Sequence, residues 1–401
     1  MILPILALLA QSPEVLQSWA HVDARQNAIQ AEWIQLTEIE APSKQEKLRI
    51  DYMKKAMARV GLQNIQQDDM GNVWGVYKGT GGGPEVVFAA HMDTVFPMGT
   101  KVKVREENGR YHAPSISDDT GALVALLHAF DAMKQSGVKT KGDIVFLATV
   151  QEEIGLYGAK YWLEKRAKKP DMFLAVDSRL GGVSYGALRI EQYRFVFEHP
   201  SMHTLASRGK PSTAKAAARA IMAINEIPLP APPEGSRMNL PVVNIGVIGG
   251  GTVPNATPGQ VFFTTDIRSL ETSTEAKLVE DVKSAAQRAA NQEGVQLKIE
   301  AINEPIDYSK ALPKEERLNH ALVKNVLAVT DQMKLNGERK TVPVDMGSDD
   351  HNVGVALGIP SVGIGAIIGA GAHSLEETAE KASIIPGTKY MILLAATLGN
   401  L

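Results

Sequence analysis

The chain has 401 residues, 44% of them hydrophobic, with 42 Lys plus Arg against 45 Asp plus Glu and no cysteine. That length suits about two domains of roughly 100–200 residues each, and the balanced charge leaves no electrostatic footprint for nucleic acid. Disulfides, thiol nucleophiles and thiolate metal sites are excluded together, so any metal is held by His and carboxylate.

Met1–Ala10 is a short apolar run followed by Gln11, Ser12 and Pro13. Within residues 1–20 it has the length of a secretory signal core, but no Lys or Arg precedes it and no clean A-x-A site follows. It favours a periplasmic or secreted protein over a cytoplasmic one, with a buried first helix as the other reading. No apolar run reaches the ~18–20 residues of a membrane-spanning helix.

Ser43 and Glu46 read as a capping box that opens an amphipathic helix running to about Val60. Val86–Ala90 reads as a buried strand, and Asn108-Gly109 as the turn of a hairpin between Lys101 and Tyr111. A helix over Gly121–Gln135, a strand at Ile144–Val150, a helix over Leu156–Lys168 and a strand at Met172–Val176 follow. The character then changes. Strand Ile190–Phe197, helix Thr213–Ile227, a Pro-rich loop (Pro228, Pro230, Pro232, Pro233), strands Val242–Ile248 and Val261–Ile267, helix Thr274–Asn291 and strand Val295–Ile302 give the split βαβ order of a ferredoxin-like domain. Beyond Pro305 the alternation resumes with a helix at Glu315–Asp331, strand Ser361–Ile364 and helix Ile384–Leu398. The expected architecture is α/β: a mixed, largely parallel sheet flanked by helices over residues 1–188 and 305–401, with an α+β domain inserted at 189–304.

The chemistry is suggested by what ends the apolar strands. One runs into His91-Met92-Asp93, another into Glu152-Glu153, a third into Asp177, and a glycine-rich apolar segment into His373. Asp118-Asp119 stands just before a helix. In an open parallel sheet, ligand sites form beyond the carboxyl ends of the strands, so these groups are placed to converge. Taken singly, each has an ordinary structural reading: helix cap, solvated surface, turn residue, core pair. Together they make a cluster of like charges that needs a cation, and a pair of divalent ions such as zinc, cobalt or manganese suits the His and carboxylate mixture. One carboxylate then bridges, and another stays free to take a proton from water.

Three other patterns are set aside. Gly182-Val183-Ser184-Tyr185-Gly186 matches a nucleophile elbow, but the strand pattern Leu188–Phe197 follows where a helix is required. His199 and His203 have helical metal-ligand spacing, yet Pro200 opposes a helix there. The glycines at 79–83 and 249–251 fit neither a P-loop nor a dinucleotide fingerprint.

From about Ile34 onward the chain resembles the co-catalytic zinc peptidases and amidohydrolases that include peptidase T, glutamate carboxypeptidase, aminoacylase and succinyl-diaminopimelate desuccinylase. The motifs occur in the family's order: His91-Met92-Asp93-Thr94-Val95, Ser117-Asp118-Asp119-Thr120-Gly121, Gln151-Glu152-Glu153, Asp177 and Gly371-Ala372-His373-Ser374. The resemblance implies His91 and Asp177 on one metal, Glu153 and His373 on the other, and Asp118 bridging. It also implies Glu152 as general base and Asp93 as the residue orienting His91.

The inserted block resembles the family's lid and dimerisation domain. This implies His203 and Asn255 at the scissile carbonyl, with His203 reaching a neighbouring subunit's site in a homodimer, and Arg268 on the substrate carboxylate. Thr120 stands where many members have Lys, and His199 where Gly is usual. Asp177, rather than Glu, tilts the expected activity toward an aminopeptidase or tripeptidase of the peptidase T-like branch. An N-acyl amino acid deacylase or carboxypeptidase is the alternative within the family, and a non-catalytic metal-binding paralogue the alternative outside enzymes.

Overall fold

The computed structural model describes residues 9–232 and 240–401. Met1–Leu8 of the N-terminal run and Pro233 of the Pro-rich loop lie outside them. The chain divides into two compact units, one formed by the segment up to Ala187 together with Tyr308–Leu401, the other by Leu188–Asp307.

The first unit opens with helices α1 (Pro13–Ala24), α2 (Gln26–Thr37) and α3 (Lys47–Arg59) and strands β1 (Gln63–Gln67), β2 (Val73–Tyr77) and β3 (Val86–His91). A hairpin of β4 (Arg105–Glu107) and β5 (Arg110–His112) precedes α4 (Thr120–Ser136), β6 (Ile144–Thr149), α5 (Tyr157–Lys165), β7 (Met172–Val176) and the short β8 (Val183–Ser184). The second unit holds β9 (Arg189–Glu198), α6 (Thr213–Asn225), β10 (Val242–Gly250), β11 (Gln260–Ser269), α7 (Thr272–Glu293) and β12 (Gln296–Ala301). The chain returns to the first unit with α8 (Lys314–Asn319), α9 (Ala321–Gln332), α10 (His351–Ala356), β13 (Ser361–Ile364), β14 (Gly369–Ala370), β15 (Thr378–Glu380) and α11 (Ile384–Leu398).

The main sheet has the order β1-β2-β6-β3-β7-β13-β8. Its middle strands β6, β3, β7 and β13 run parallel, and the flanking pairings are antiparallel. All four parallel strands are buried at every position, as a sheet covered on both faces requires. This is why they read in the sequence as unbroken apolar runs rather than as alternation. Because they are parallel, β3, β6 and β7 deliver the residues that follow them to one edge.

In the second unit an antiparallel sheet of order β10-β11-β9-β12 carries α6 and α7, the arrangement of a ferredoxin-like fold. Strand β11 buries Phe263, Thr265, Ile267 and Ser269 in strict alternation, the signature of a sheet with one covered face. Phe195, Phe197 and Phe263 form the centre of that core.

Two local expectations are corrected. Ser43 and Glu46 do not form a capping box: the Ser43 hydroxyl donates to Asp93 (2.6 Å), and the Glu46 carboxylate accepts from the N–H groups of Lys44 (2.9 Å) and Gln151 (3.2 Å). Distant loop partners outcompete the local motif. The single helix expected over Glu315–Asp331 is two helices, because His320 is extended and its ring Nδ1 accepts the Leu322 N–H (3.1 Å), capping α9.

Candidate metal centre

His91 is the last residue of β3 and is almost wholly buried. Its Nε2 lies 2.8 Å from Asp118 Oδ1 and 3.8 Å from Asp177 Oδ2, while Nδ1 faces the Asp93 carbonyl at 3.1 Å and its carboxylate at 3.5 Å. Asp93 in turn accepts the Glu152 N–H (3.0 Å) and the Glu153 N–H (3.3 Å). One carboxylate thus orients the His91 ring and fixes the turn that presents the two glutamates, the kind of outer support that metal-ligand histidines use. That turn is entered through Gln151 at a φ of 55°, in the left-handed region that non-glycine residues rarely occupy.

Asp118 meets both histidines, its other oxygen lying 3.1 Å from His373 Nε2, which is also 2.9 Å from Glu153 Oε2. His373 is itself held at a φ of 65°. The two histidines differ sharply in setting, with His91 1% exposed and His373 57%. His91, Asp118, Glu153, Asp177 and His373 are therefore brought together at the ends of β3, β6 and β7. Asp119, the neighbour of Asp118 in the same motif, sits with them: it accepts the His91 N–H (3.1 Å) and groups with His91 and Asp177 around one potential cation position. His91, Asp118 and Glu153 surround a second.

The electrostatics show a deficit of positive charge. Burial holds Asp119, Glu152 and Asp177 well above the usual carboxylate range, with neighbouring carboxylates adding to the effect and His91 opposing it. Burial also pushes Glu153 up to about 7. Asp118 goes the other way: burial raises it, but hydrogen bonds with His373 and His91 pull it below its ordinary value. Hydrogen bonding to Asp118 lifts His373 to about 9. The buried Arg49 guanidinium donates to the carbonyls of Ile39, Met92 and Thr37 and to the Ser115 hydroxyl rather than to a carboxylate. Crowded oxygens with two imidazole nitrogens and too little cationic charge are a fitting donor set for divalent metal ions.

Residues 87–397, well over half of the chain, match the model of peptidase family M20/M25/M40. The chain belongs to this family. It is a metal-dependent hydrolase of the peptidase type. A Bacillus subtilis relative, the uncharacterized protein YqjE, is 27% identical over 348 residues, covering 83% of this chain and 88% of its own. The tripeptidase of Staphylococcus aureus superposes with a TM-score of 0.78 at 21% identity, over 93% of this chain and 98% of that one. The aminopeptidase PepT of Bacillus cereus does so with a TM-score of 0.75 at 21% identity, with the same coverage. These likenesses extend the M20 fold to nearly the whole chain.

The substrate-side residues named from the sequence lie in the second unit. His203 pairs with Ala256, and the Thr204 N–H donates to the Asn255 carbonyl (3.0 Å), so the exposed His203 and Asn255 share one corner. Arg268 is elsewhere. It stands near the far end of β11, eight residues beyond Gln260, which at ~3.4 Å per residue is about 27 Å along the strand from Gln260. Its guanidinium is held by Asp266 through two 3.0 Å hydrogen bonds.

Sequence reasoning missed Arg49, Asp350 and Glu377, all buried. Asp350 accepts the Thr149 hydroxyl (2.6 Å) at the end of β6, and Glu377 binds the loop before α4. The available signals were a polar run, Gly347-Ser348-Asp349-Asp350-His351, ahead of a wholly buried short helix, and a carboxylate four residues after His373.

Proposed function

We propose that the enzyme cleaves the amide bond of short peptides as an aminopeptidase or tripeptidase. Glu152 is the general base. The observation that carries this reading is the placement of Glu152: a buried carboxylate beside Glu153, within the charge field of the donors yet outside both donor groups. A carboxylate so placed is free to handle protons.

Two divalent ions, most simply zinc, with cobalt or manganese as substitutes, would be held by His91, Asp118, Glu153, Asp177 and His373, and when bound would polarise the scissile carbonyl and acidify water. Glu152 takes the proton from the attacking water and returns it to the leaving amine, so that one amide and one water give one carboxylate and one amine. Asp93 keeps the His91 ring oriented while this happens. His203 and Asn255 stabilise the oxyanion, and Arg268 binds the substrate carboxylate. The ~27 Å that β11 spans from Gln260, the end beside the His203 segment, to Arg268 exceeds the length of a tripeptide. This supports a homodimer in which the inserted units bring one copy's His203 to the other copy's substrate.

Asp177 and the likeness to a tripeptidase and an aminopeptidase favour this reading over an N-acyl amino acid deacylase or carboxypeptidase. The test is a substrate panel on protein of measured zinc content, with and without chelator. Free-amine di- and tripeptides should be cleaved and N-acetyl amino acids spared, with activity lost to the chelator and restored by zinc. Cleavage of N-acetylated substrates alone would move the enzyme to the deacylase reading. No turnover of any panel member by the zinc-loaded protein would favour a non-catalytic paralogue.

A further inference from the structure

Glu377 lies four residues beyond His373, is fully buried, and grips the loop that carries Asp118. One carboxylate oxygen accepts the N–H of Ser117 (2.7 Å), the hydroxyl of Ser117 (2.6 Å) and the N–H of Asp118 (2.9 Å). The other accepts the N–H of Ser115 (2.8 Å). The Glu377 carbonyl also accepts the Ala113 N–H (3.1 Å). Four donors converge on one side chain from a segment some 260 residues away in the sequence.

The gripped loop has little other freedom. Ser115 is left-handed, with a φ of 65°, and its hydroxyl donates to the Asp118 carbonyl (3.0 Å) while accepting from Arg49 (3.2 Å). Its carbonyl accepts the Thr120 hydroxyl (2.7 Å). At the other end, His373 sits in a tight turn closed by the Ser374 N–H on the Gly371 carbonyl (3.1 Å) and the Glu377 N–H on the Ser374 carbonyl (3.2 Å). Residues 371–377 therefore behave as one short strap, with His373 at one end and the grip on the Asp118 loop at the other.

We propose that Glu377 is a positioning residue that sets the spacing of Asp118 and His373, and through it the affinity of the metal position these two share with Glu153. The proposal rests on the dimetal reading above. A carboxylate is needed here because both oxygens must accept: glutamine, of the same shape, would turn an NH2 group toward backbone N–H groups and leave donors unpaired.

The test is calorimetric titration of the metal-stripped full chain with zinc, comparing wild type, Glu377→Gln and Ser117→Ala. Wild type should take up two equivalents. E377Q should bind the equivalent that includes His373 ~10–100-fold more weakly, the usual scale for losing a group that supports a ligand, and the other, which keeps His91 and Asp177, by clearly less. At saturating zinc, E377Q should lose kcat with little change in KM. A merely structural role would lower thermal stability and both zinc affinities alike. Should E377Q fail to fold, S117A decides: it removes one of the four bonds and should weaken the same equivalent about 3- to 10-fold. Wild-type affinity for both equivalents in a folded E377Q, or in S117A where E377Q does not fold, overturns the proposal. Uptake of fewer than two equivalents by wild type overturns the dimetal reading itself.

Discussion

Two groups of carboxylates in the first unit are opposites. Glu32, on α2, receives hydrogen bonds from His128 (3.0 Å), Arg59 (2.5 Å) and Tyr52 (2.7 Å). Burial works to raise its pKa, but these three partners outweigh it and bring it down to about 2. At the ends of β3, β6 and β7, by contrast, Asp119, Glu152 and Asp177 are raised well above their ordinary values because burial has no matching supply of positive charge. The first arrangement is complete within the protein and stabilises the fold. The second is incomplete without something from outside, which distinguishes a site from a structural ion pair.

The sharpest break of this contrast is in catalysis. Glu152→Gln keeps the shape of the side chain and leaves both donor groups intact, so zinc uptake should be unchanged while kcat falls by ~10²–10⁴, the range expected for a lost general base. Steady-state rates and zinc titration on the same preparation check it. Hydrolysis retained within about tenfold would place the base elsewhere.

The next effect is on stability and separates the two groups by the sign of their pH dependence. Because the folded-state pKa of Glu32 is depressed from 4.5 to about 2, its contribution is fully present above about 4.5 and is lost as pH falls toward 2. Glu32→Gln should therefore cost about 2–3 kcal/mol at pH 7, a cost that shrinks across this window in chemical melts. A loss of stability that does not change with pH would mean that packing, not charge, holds Glu32.

The same contrast explains how much was legible in the sequence. Parallel strands buried on both faces leave continuous apolar runs, and the polar residue that ends each run stands out, so His91, Glu152, Glu153 and Asp177 were visible one strand at a time. Their supports were not. Glu377, Arg49 and Ser115 act through contacts between segments far apart in sequence, and no local pattern encodes a carboxylate that accepts four donors from a remote loop. The Ser43–Glu46 motif misled for the same reason: a local capping pattern was recruited by Asp93 and Gln151. The break at His320 was hidden because a histidine ring capping a helix resembles any other polar position in an amphipathic pattern.

Asp350 gives the smallest effect, and with it a test of whether the charge deficit reaches beyond the metal donors. One of its oxygens accepts the Thr149 hydroxyl, and the other is buried without a hydrogen-bond partner. Burial, with Asp349 and Asp93 adding repulsion against the Thr149 bond and the pull of His91, raises it to about 7. Between the ordinary value of 3.8 and about 7 the folded state keeps a proton that the unfolded state releases, so this group's contribution to stability declines as pH rises through that window. Asparagine keeps an acceptor for Thr149 and never ionises. In zinc-stripped protein, Asp350→Asn should therefore stabilise the fold by about 1–2 kcal/mol at pH 8 and change little at pH 5 in urea melts. Destabilisation at both pH values would place Asp350 with Glu32, as a satisfied structural carboxylate, and would confine the charge deficit to the strand ends.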